Sequence, residues 1–179
     1  MYDLFVLGEL MIGDTHGYQL QERLKRAVGP VRQISSGTLY PLLSRLVERG
    51  WISLRLEEPK GGRVRKIYKL TEAGKERFFE LMVSPLDYTA ETELMFHFKM
   101  SNFPFVTKEV RLASLEQYLN YLQHNLKYVD SETRMISSKK MDERKRAQVL
   151  RMLDHRKHVG LADAEWVAKE LERMKTAKE

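Results

Sequence analysis

Two groups of side chains could do chemistry here, and both suit phosphate and base edges better than catalysis. The first is a hydroxyl cluster, Ser35, Ser36, Thr38 and Tyr40, at the start of an apolar run. Short hydroxyls at a helix N-terminus sit beside free N–H groups and the positive dipole end, a natural seat for phosphate. The second is cationic. Lys60, Arg63, Arg65, Lys66 and Lys69 fall in a ten-residue window without an acid, around Gly61-Gly62. Such cations bind a polyanion by releasing its counterions, and the glycine pair lets a backbone approach closely.

The elements that must position these groups follow from periodicity. Leu4, Leu7, Gly8 and Met11 repeat at helical spacing over residues 3–12. Asp14-Thr15-His16-Gly17 breaks that helix, and Thr15 is read as the cap of a second one reaching Val28. Gly29-Pro30 ends it. A third helix starts near Ser36, read as its cap, and carries Leu39, Leu42, Leu43, Leu46 and Val47 up to Gly50. Pro41 falls early enough to be tolerated.

The period then changes to two. Ile52, Leu54 and Leu56 alternate with polar residues, as in a half-buried strand, and Val64 to Leu70 makes a second strand after a turn-rich tip. Thr71 caps a fourth helix reaching Val83. Beyond Ser84-Pro85 the chain reads as helical: residues 91–100, then a seam of Leu112, Leu115, Leu119, Leu122, Leu126 and Val129, then residues 141–174. Gly160 is a candidate interruption of the last helix.

Composition bounds the remaining classes. The 179 residues hold no cysteine, which excludes disulfides, thiolate zinc sites and a cysteine nucleophile, and fits a reducing, cytoplasmic setting. No run approaches a membrane span of about 18 apolar residues. The first nine residues carry two acids and no cation, a poor secretion signal. Net charge is +6, with +4 in residues 1–84 and +2 in residues 85–179, where both signs mix. That balance favours anionic partners, nucleic acid first and an acidic membrane surface second; no membrane is expected, because no cationic amphipathic helix carries a broad apolar face. There is no nucleophile elbow, phosphate-cradling loop or metal motif, so neither an enzyme nor a cofactor is expected. His155 and His158, with His124 elsewhere, lack a fixed third ligand and read as solvated surface.

Three helices followed by a two-stranded ribbon with a basic tip is the order of a winged helix-turn-helix, and a helix of this kind fits the major groove of duplex DNA. The blocks His16-Gly17-Tyr18, Ser35-Ser36-Gly37-Thr38-Leu39-Tyr40-Pro41-Leu42-Leu43-Ser44-Arg45-Leu46 and Arg65-Lys66-Ile67-Tyr68-Lys69-Leu70-Thr71-Glu72-Ala73-Gly74 appear in that order. Together they resemble the PadR family of bacterial transcriptional regulators. Ser36 stands where that family commonly has Pro. The tail, with Glu93 to Phe98 and Trp166, is similar to the branch with a long helical C-terminal domain, the phenolic-acid-responsive and AphA-like one.

The resemblance implies a mainly α fold with a small β-wing: a winged helix-turn-helix in residues 1–84 and a helical dimerisation and effector domain in residues 85–179. It implies a homodimer on a palindromic operator, acting as a repressor released by a small aromatic effector such as a phenolic acid. The DNA-facing set it implies is His16, Tyr18, Ser35, Ser36, Thr38, Tyr40, Arg45, Lys60, Gly62, Arg63, Arg65 and Lys66. Dimerisation falls to Leu112, Leu115, Leu119, Leu122, Leu126, Val159, Trp166 and Leu171.

Other readings stand beside these. His16 serves equally as a hydrogen-bond partner at a cap, and the leucine seam also fits packing within its own chain. Phe96, Phe98, Phe103 and Phe105 are either an effector-pocket wall or core. A winged-helix protein-assembly module that binds no DNA is the alternative function.

Overall fold

A computed structural model describes residues 2–30, 32, 34–57 and 64–177. The elements are α1 (Tyr2–Ile12), β1 (Thr15–His16), α2 (Gly17–Ala27), α3 (Ser36–Glu48), β2 (Ile52–Glu57), β3 (Arg65–Leu70), α4 (Glu72–Val83), α5 (Thr92–Ser101), α6 (Lys108–Ser138) and α7 (Glu143–Thr176). A single 3-10 turn, Phe103–Phe105, precedes α6. The fold is mainly helical with a small antiparallel wing, as the sequence implies. Two compact units divide it: Met1–Ser84 with Glu93–Val110, and Pro85–Thr92 with Arg111–Glu179. The division is therefore not one cut at residue 84, because Glu93–Val110 falls in the first unit.

The first unit is built around α1. Leu4, Phe5, Val6, Leu7, Gly8 and Leu10 are all buried, so this helix is apolar on every side rather than on one stripe. Leu20 and Leu24 from α2, Leu39, Leu43 and Leu46 from α3, and Phe78 from α4 complete the core. Each such side chain contributes about 1.5–3 kcal/mol on full burial. Gly8 lets Asn102 approach: an added Cβ would lie 2.1 Å from Asn102 Oδ1. The Asn102 amide in turn donates to Phe98 O at 2.7 Å.

The sheet has three strands in the order β1-β3-β2, not the two of a simple ribbon. Thr15 pairs with Tyr68 and His16 with Ile67, while β2 and β3 pair antiparallel from Ile52↔Leu70 to Glu57↔Arg65. Pairing with β3 corrects the reading of Thr15 as a helix cap. Its backbone belongs to the sheet, and His16 is the N-cap of α2. The expected half-buried face of β2 is also corrected. Ile52 is buried, but Leu54 and Leu56 are exposed, so no described residue of the unit covers that face.

The α3 cap is Ser35, one residue before the expected Ser36. Pro41 sits inside α3, a little later than the first turn, without ending it. Thr71 caps α4 as expected, its Oγ1 accepting from Gly74 N at 3.0 Å. The one proton of the same hydroxyl is shared between Gly50 O at 2.6 Å and Trp51 O at 2.9 Å, tying α4 to the end of α3 and the start of β2.

The second unit is a helical hairpin. Tyr118 OH donates to Asp163 Oδ2 at 2.7 Å, and Lys157 Nζ pairs with Asp130 at 2.7 Å, so α6 and α7 run antiparallel. α7 is continuous through Gly160, where an added Cβ would meet Leu126 Cδ2 at 3.0 Å. The glycine serves close helix packing rather than a break. Leu86 N donates to Gln117 Oε1 at 3.2 Å, and Tyr88 packs edge-on against Tyr121, holding the preceding loop to α6. Among the described residues, no helix is long and apolar enough to cross a membrane.

Candidate nucleic-acid interface

A groove of about 640 Å³ is lined by His16, Gly17, Tyr18, Tyr40, Val64, Arg65 and Lys66. Three elements meet there: the start of α2, the first turns of α3 and the start of β3. The β1–β3 pairing draws His16 beside the wing strand. Gln19 closes the turn, its Oε1 accepting from Thr15 Oγ1 at 2.9 Å and from His16 N at 3.2 Å. The His16 ring stacks on Tyr18 with centroids 5.5 Å apart and planes 15° apart. Its Nδ1 is buried without a partner among the described residues.

Gly17 sets the floor. An added Cβ would lie 3.1 Å from Tyr68 Cε2 and 3.3 Å from Tyr40 Cε1, so a larger residue would push on both rings. Burial of Tyr68, and then the neighbouring Tyr40, raises the Tyr68 phenol pKa above its ordinary value, keeping it protonated. Tyr18 and Tyr40 remain substantially exposed at the groove. Gly17 and Val64 also line this groove, and of the two only Gly17 carries a sequence signal, as the middle of His16-Gly17-Tyr18.

α3 buries Leu39, Leu42, Leu43 and Leu46 and leaves Ser35, Ser36, Thr38, Tyr40 and Arg45 exposed. The hydroxyls are pre-arranged rather than loose. Ser35 Oγ and Thr38 Oγ1 are 3.2 Å apart, and Gln21 Nε2 donates to Ser36 Oγ at 3.0 Å. Arg65 and Lys66 stand exposed with no ion pair among the described residues. Arg45 differs: its guanidinium donates to Asp3 Oδ1 at 2.7 Å, so part of its hydrogen-bonding capacity is spent within the chain. Lys60, Gly62 and Arg63 lie outside the described residues.

The aromatic set resolves toward core. Phe96 and Phe98 are each 1% exposed, and Phe98 packs on Phe5 at 5.5 Å. Neither ring is open to solvent. Phe103 packs against the same core. Phe105 lines a cavity of about 450 Å³ with Phe79, Met82, Val83, Val106 and Val110. Of the dimerisation set, Leu115, Leu122 and Leu171 are buried within the hairpin, Leu112, Leu119 and Leu126 are half-buried, and Val159 and Trp166 are exposed. Among the described residues no cluster of His, Asp or Glu could hold a metal ion.

An exposed helix face beside a stranded wing, with Tyr18, Tyr40, Arg65 and Lys66 along the groove, defines a winged-helix module. Residues 6–80 match the family described as the transcriptional regulator PadR-like family. The negative transcriptional regulator PadR of Bacillus subtilis (strain 168) is 27% identical over 92 residues, covering 50% of this chain and 50% of that protein. The chain thus spans about half the length of that curated relative. Solved structures are similar as well. One is Bacillus subtilis PadR with operator DNA, 19% identical, covering 96% of both chains with a TM-score of 0.44. Another is the same protein with p-coumaric acid, 18% identical, covering 98% of this chain and 96% of that one with a TM-score of 0.42.

Proposed function

We propose that this chain is a homodimeric, sequence-specific DNA-binding transcriptional regulator that acts as a repressor on a palindromic operator. One observation carries the reading: Tyr40 of the exposed side of α3 and the cations Arg65 and Lys66, which make no ion pair among the described residues, border one groove. In this reading α3 enters the major groove, where each base pair offers a distinct pattern of donors and acceptors. Arg65 and Lys66 hold the flanking phosphates, and the hydroxyls of Ser36, Thr38 and Tyr40 supply short donors. Lys60, Gly62 and Arg63 extend the same cationic stretch by sequence. Arg45 stays a lesser contact, because Asp3 holds it.

The exposed Met152, Val159 and Trp166 recur every seven residues on α7, one open stripe for pairing with a second chain. The Bacillus subtilis relative's description as a negative regulator supports the repressive sign. The 450 Å³ apolar cavity at Phe105 is where a small aromatic effector fits best.

Selection of bound duplexes from a random pool tests the reading. A recovered inverted repeat with half-site centres about one turn, 34–36 Å, or a multiple of it apart is the expected result. Failure to retain any duplex at low salt, with a protein partner recovered instead, would make the chain an assembly module.

A further inference from the structure

The basic excess of the second half of the chain is not spread along it. Residues 134–157 hold nine Lys and Arg against three Asp and Glu, a net +6, while residues 85–133 carry four against seven. The even mixture expected of the tail is therefore an average over segments of opposite sign. The basic segment spans the end of α6, the turn and the first four turns of α7. Lys139, Lys140, Arg144, Lys145 and Arg151 are exposed there, and none makes an ion pair among the described residues. The acids nearby are engaged. Asp142 Oδ1 accepts from Lys145 N at 2.9 Å as the cap of α7, and Glu143 pairs with Arg146 at 3.3 Å. Lys157, farther along, is paired with Asp130.

Concentrated unpaired cations cost stability by mutual repulsion unless an anion relieves it. The surroundings narrow that anion. No Phe, Tyr or Trp lies between Tyr128 and Trp166, so there is no platform for stacking unpaired bases. The exposed large apolar side chains of the segment are Met135 and Met152, too few for the broad apolar face that an interfacial helix needs. Arg144 and Arg151 are two helical turns apart on one side of α7, about 10.5 Å by helix rise. Charge without a stacking platform or a broad apolar face suits the regularly spaced phosphates of a duplex, read without regard to sequence.

We propose that the α6–α7 tip is a second duplex-DNA contact, holding the sugar-phosphate backbone through Lys139, Lys140, Arg144, Lys145 and Arg151. This rests on the reading of the chain as a duplex-binding protein, and adds to it a sequence-independent anchor separate from the α3 groove.

The test is equilibrium binding of the full chain to a long random-sequence duplex across a salt series. The variant combines Lys139→Gln, Lys140→Gln, Arg144→Gln and Lys145→Gln; glutamine is a good helix former, so α7 is retained. The log–log salt slope is expected to flatten by about 0.9 per lost phosphate contact, or about 2–4 in all. Lys139→Arg, Lys140→Arg and Lys145→Arg together keep the charge, and are expected to keep the wild-type slope. Two controls run in parallel: Arg65→Ala with Lys66→Ala on the same duplex, and vesicles of phosphatidylserine in place of DNA. An unchanged slope in the glutamine variant, while the groove variant weakens, overturns the tip contact and leaves the DNA-binding reading standing. Wild-type protein that retains no duplex overturns both. Vesicle binding that the glutamine variant loses, with duplex binding unchanged, assigns the tip to an anionic membrane and overturns the proposal.

Discussion

Lys99 Nζ donates to Met82 O at 3.0 Å and also to Ser84 O, so a lysine with only 1% of its surface exposed closes the C-terminal end of α4. The last carbonyls of a helix lack intrahelical partners and carry its negative dipole end, which is why a cation settles there. No carboxylate shares the site among the described residues, and burial lowers the Lys99 pKa from 10.5 to about 8.

That shift has a sign for stability. Between about pH 8 and 10.5 the unfolded chain still holds the Lys99 proton while the folded chain has released it. Stability gains from this group as pH rises through that window, with a slope of at most one proton. Below pH 8 both states are charged, and the full burial cost stands. Chemical denaturation of wild type and Lys99→Met from pH 7 to 10.5 checks this. The difference in unfolding free energy between them should drift in favour of wild type as pH rises. A pH-independent difference would show that the lysine titrates normally in the fold.

Among the described glycines of the first unit, Gly74 is the least replaceable. An added Cβ would lie 1.9 Å from Trp51 O and 2.9 Å from Trp51 C, both backbone atoms. Trp51 O has little room to retreat, because Thr71 N bonds it at 3.2 Å and Thr71 Oγ1 at 2.9 Å. The guanidiniums of Arg49 and Arg77 lie 4.9 and 5.1 Å from the Trp51 ring, adding to its hold. Gly74→Ala is therefore expected to destabilise the unit by about 3 kcal/mol, at the upper end of overpacking. Thermal unfolding followed by near-ultraviolet circular dichroism measures it, and a loss under about 1 kcal/mol would mean that the α4 start shifts freely.

Periodicity and turn residues made much of this architecture legible. The order of helices, the Thr71 cap and the ribbon all follow from spacing that local physics enforces. What escaped needed tertiary information. β1 is two residues long, too short for any period, and exists only because β3 offers an edge. Leu54 and Leu56 alternate as a buried face would, yet alternation says which residues share a face and not whether anything covers it. Lys99 sits in an unremarkable run, and lysine is almost never expected inside. The tip charges were in plain view but were hidden by averaging over a whole half of the chain. Within the groove, the motif residues were legible by type. The role of Gly17, a gap shaped by Tyr40 and Tyr68, requires coordinates.

The open stripe on α7 predicts self-association. Val159 and Trp166 are 57% and 48% exposed, so their replacement leaves the hairpin core intact. Val159→Asp with Trp166→Ala should weaken a homodimer by at least about tenfold, since buried aromatic anchors commonly carry more than 1 kcal/mol each. Sedimentation equilibrium over a concentration series reads this directly. A wild-type chain that stays monomeric throughout would remove dimerisation from the proposed function.

The groove itself allows hydroxyl, ring and charge to be tested apart. Arg65→Ala removes an exposed cation with no internal partner, so the fold should be unaffected. If Arg65 meets a phosphate, the salt slope on a selected operator falls by about 0.9, and affinity drops evenly across operator variants. Tyr40 should behave otherwise. Its ring packs over Gly17, so Tyr40→Phe keeps that packing and deletes only the hydroxyl. A hydroxyl that reads a base costs about 1–3 kcal/mol of discrimination at one operator position when lost, with the salt slope unchanged. Tyr40→Ala should lose that discrimination and also open the floor of the groove, weakening all sequences. Competition binding with single-base operator variants separates the cases. Equal losses for Tyr40→Phe at every position would make Tyr40 a backbone contact, and no loss for any of the three variants would take this groove off the DNA.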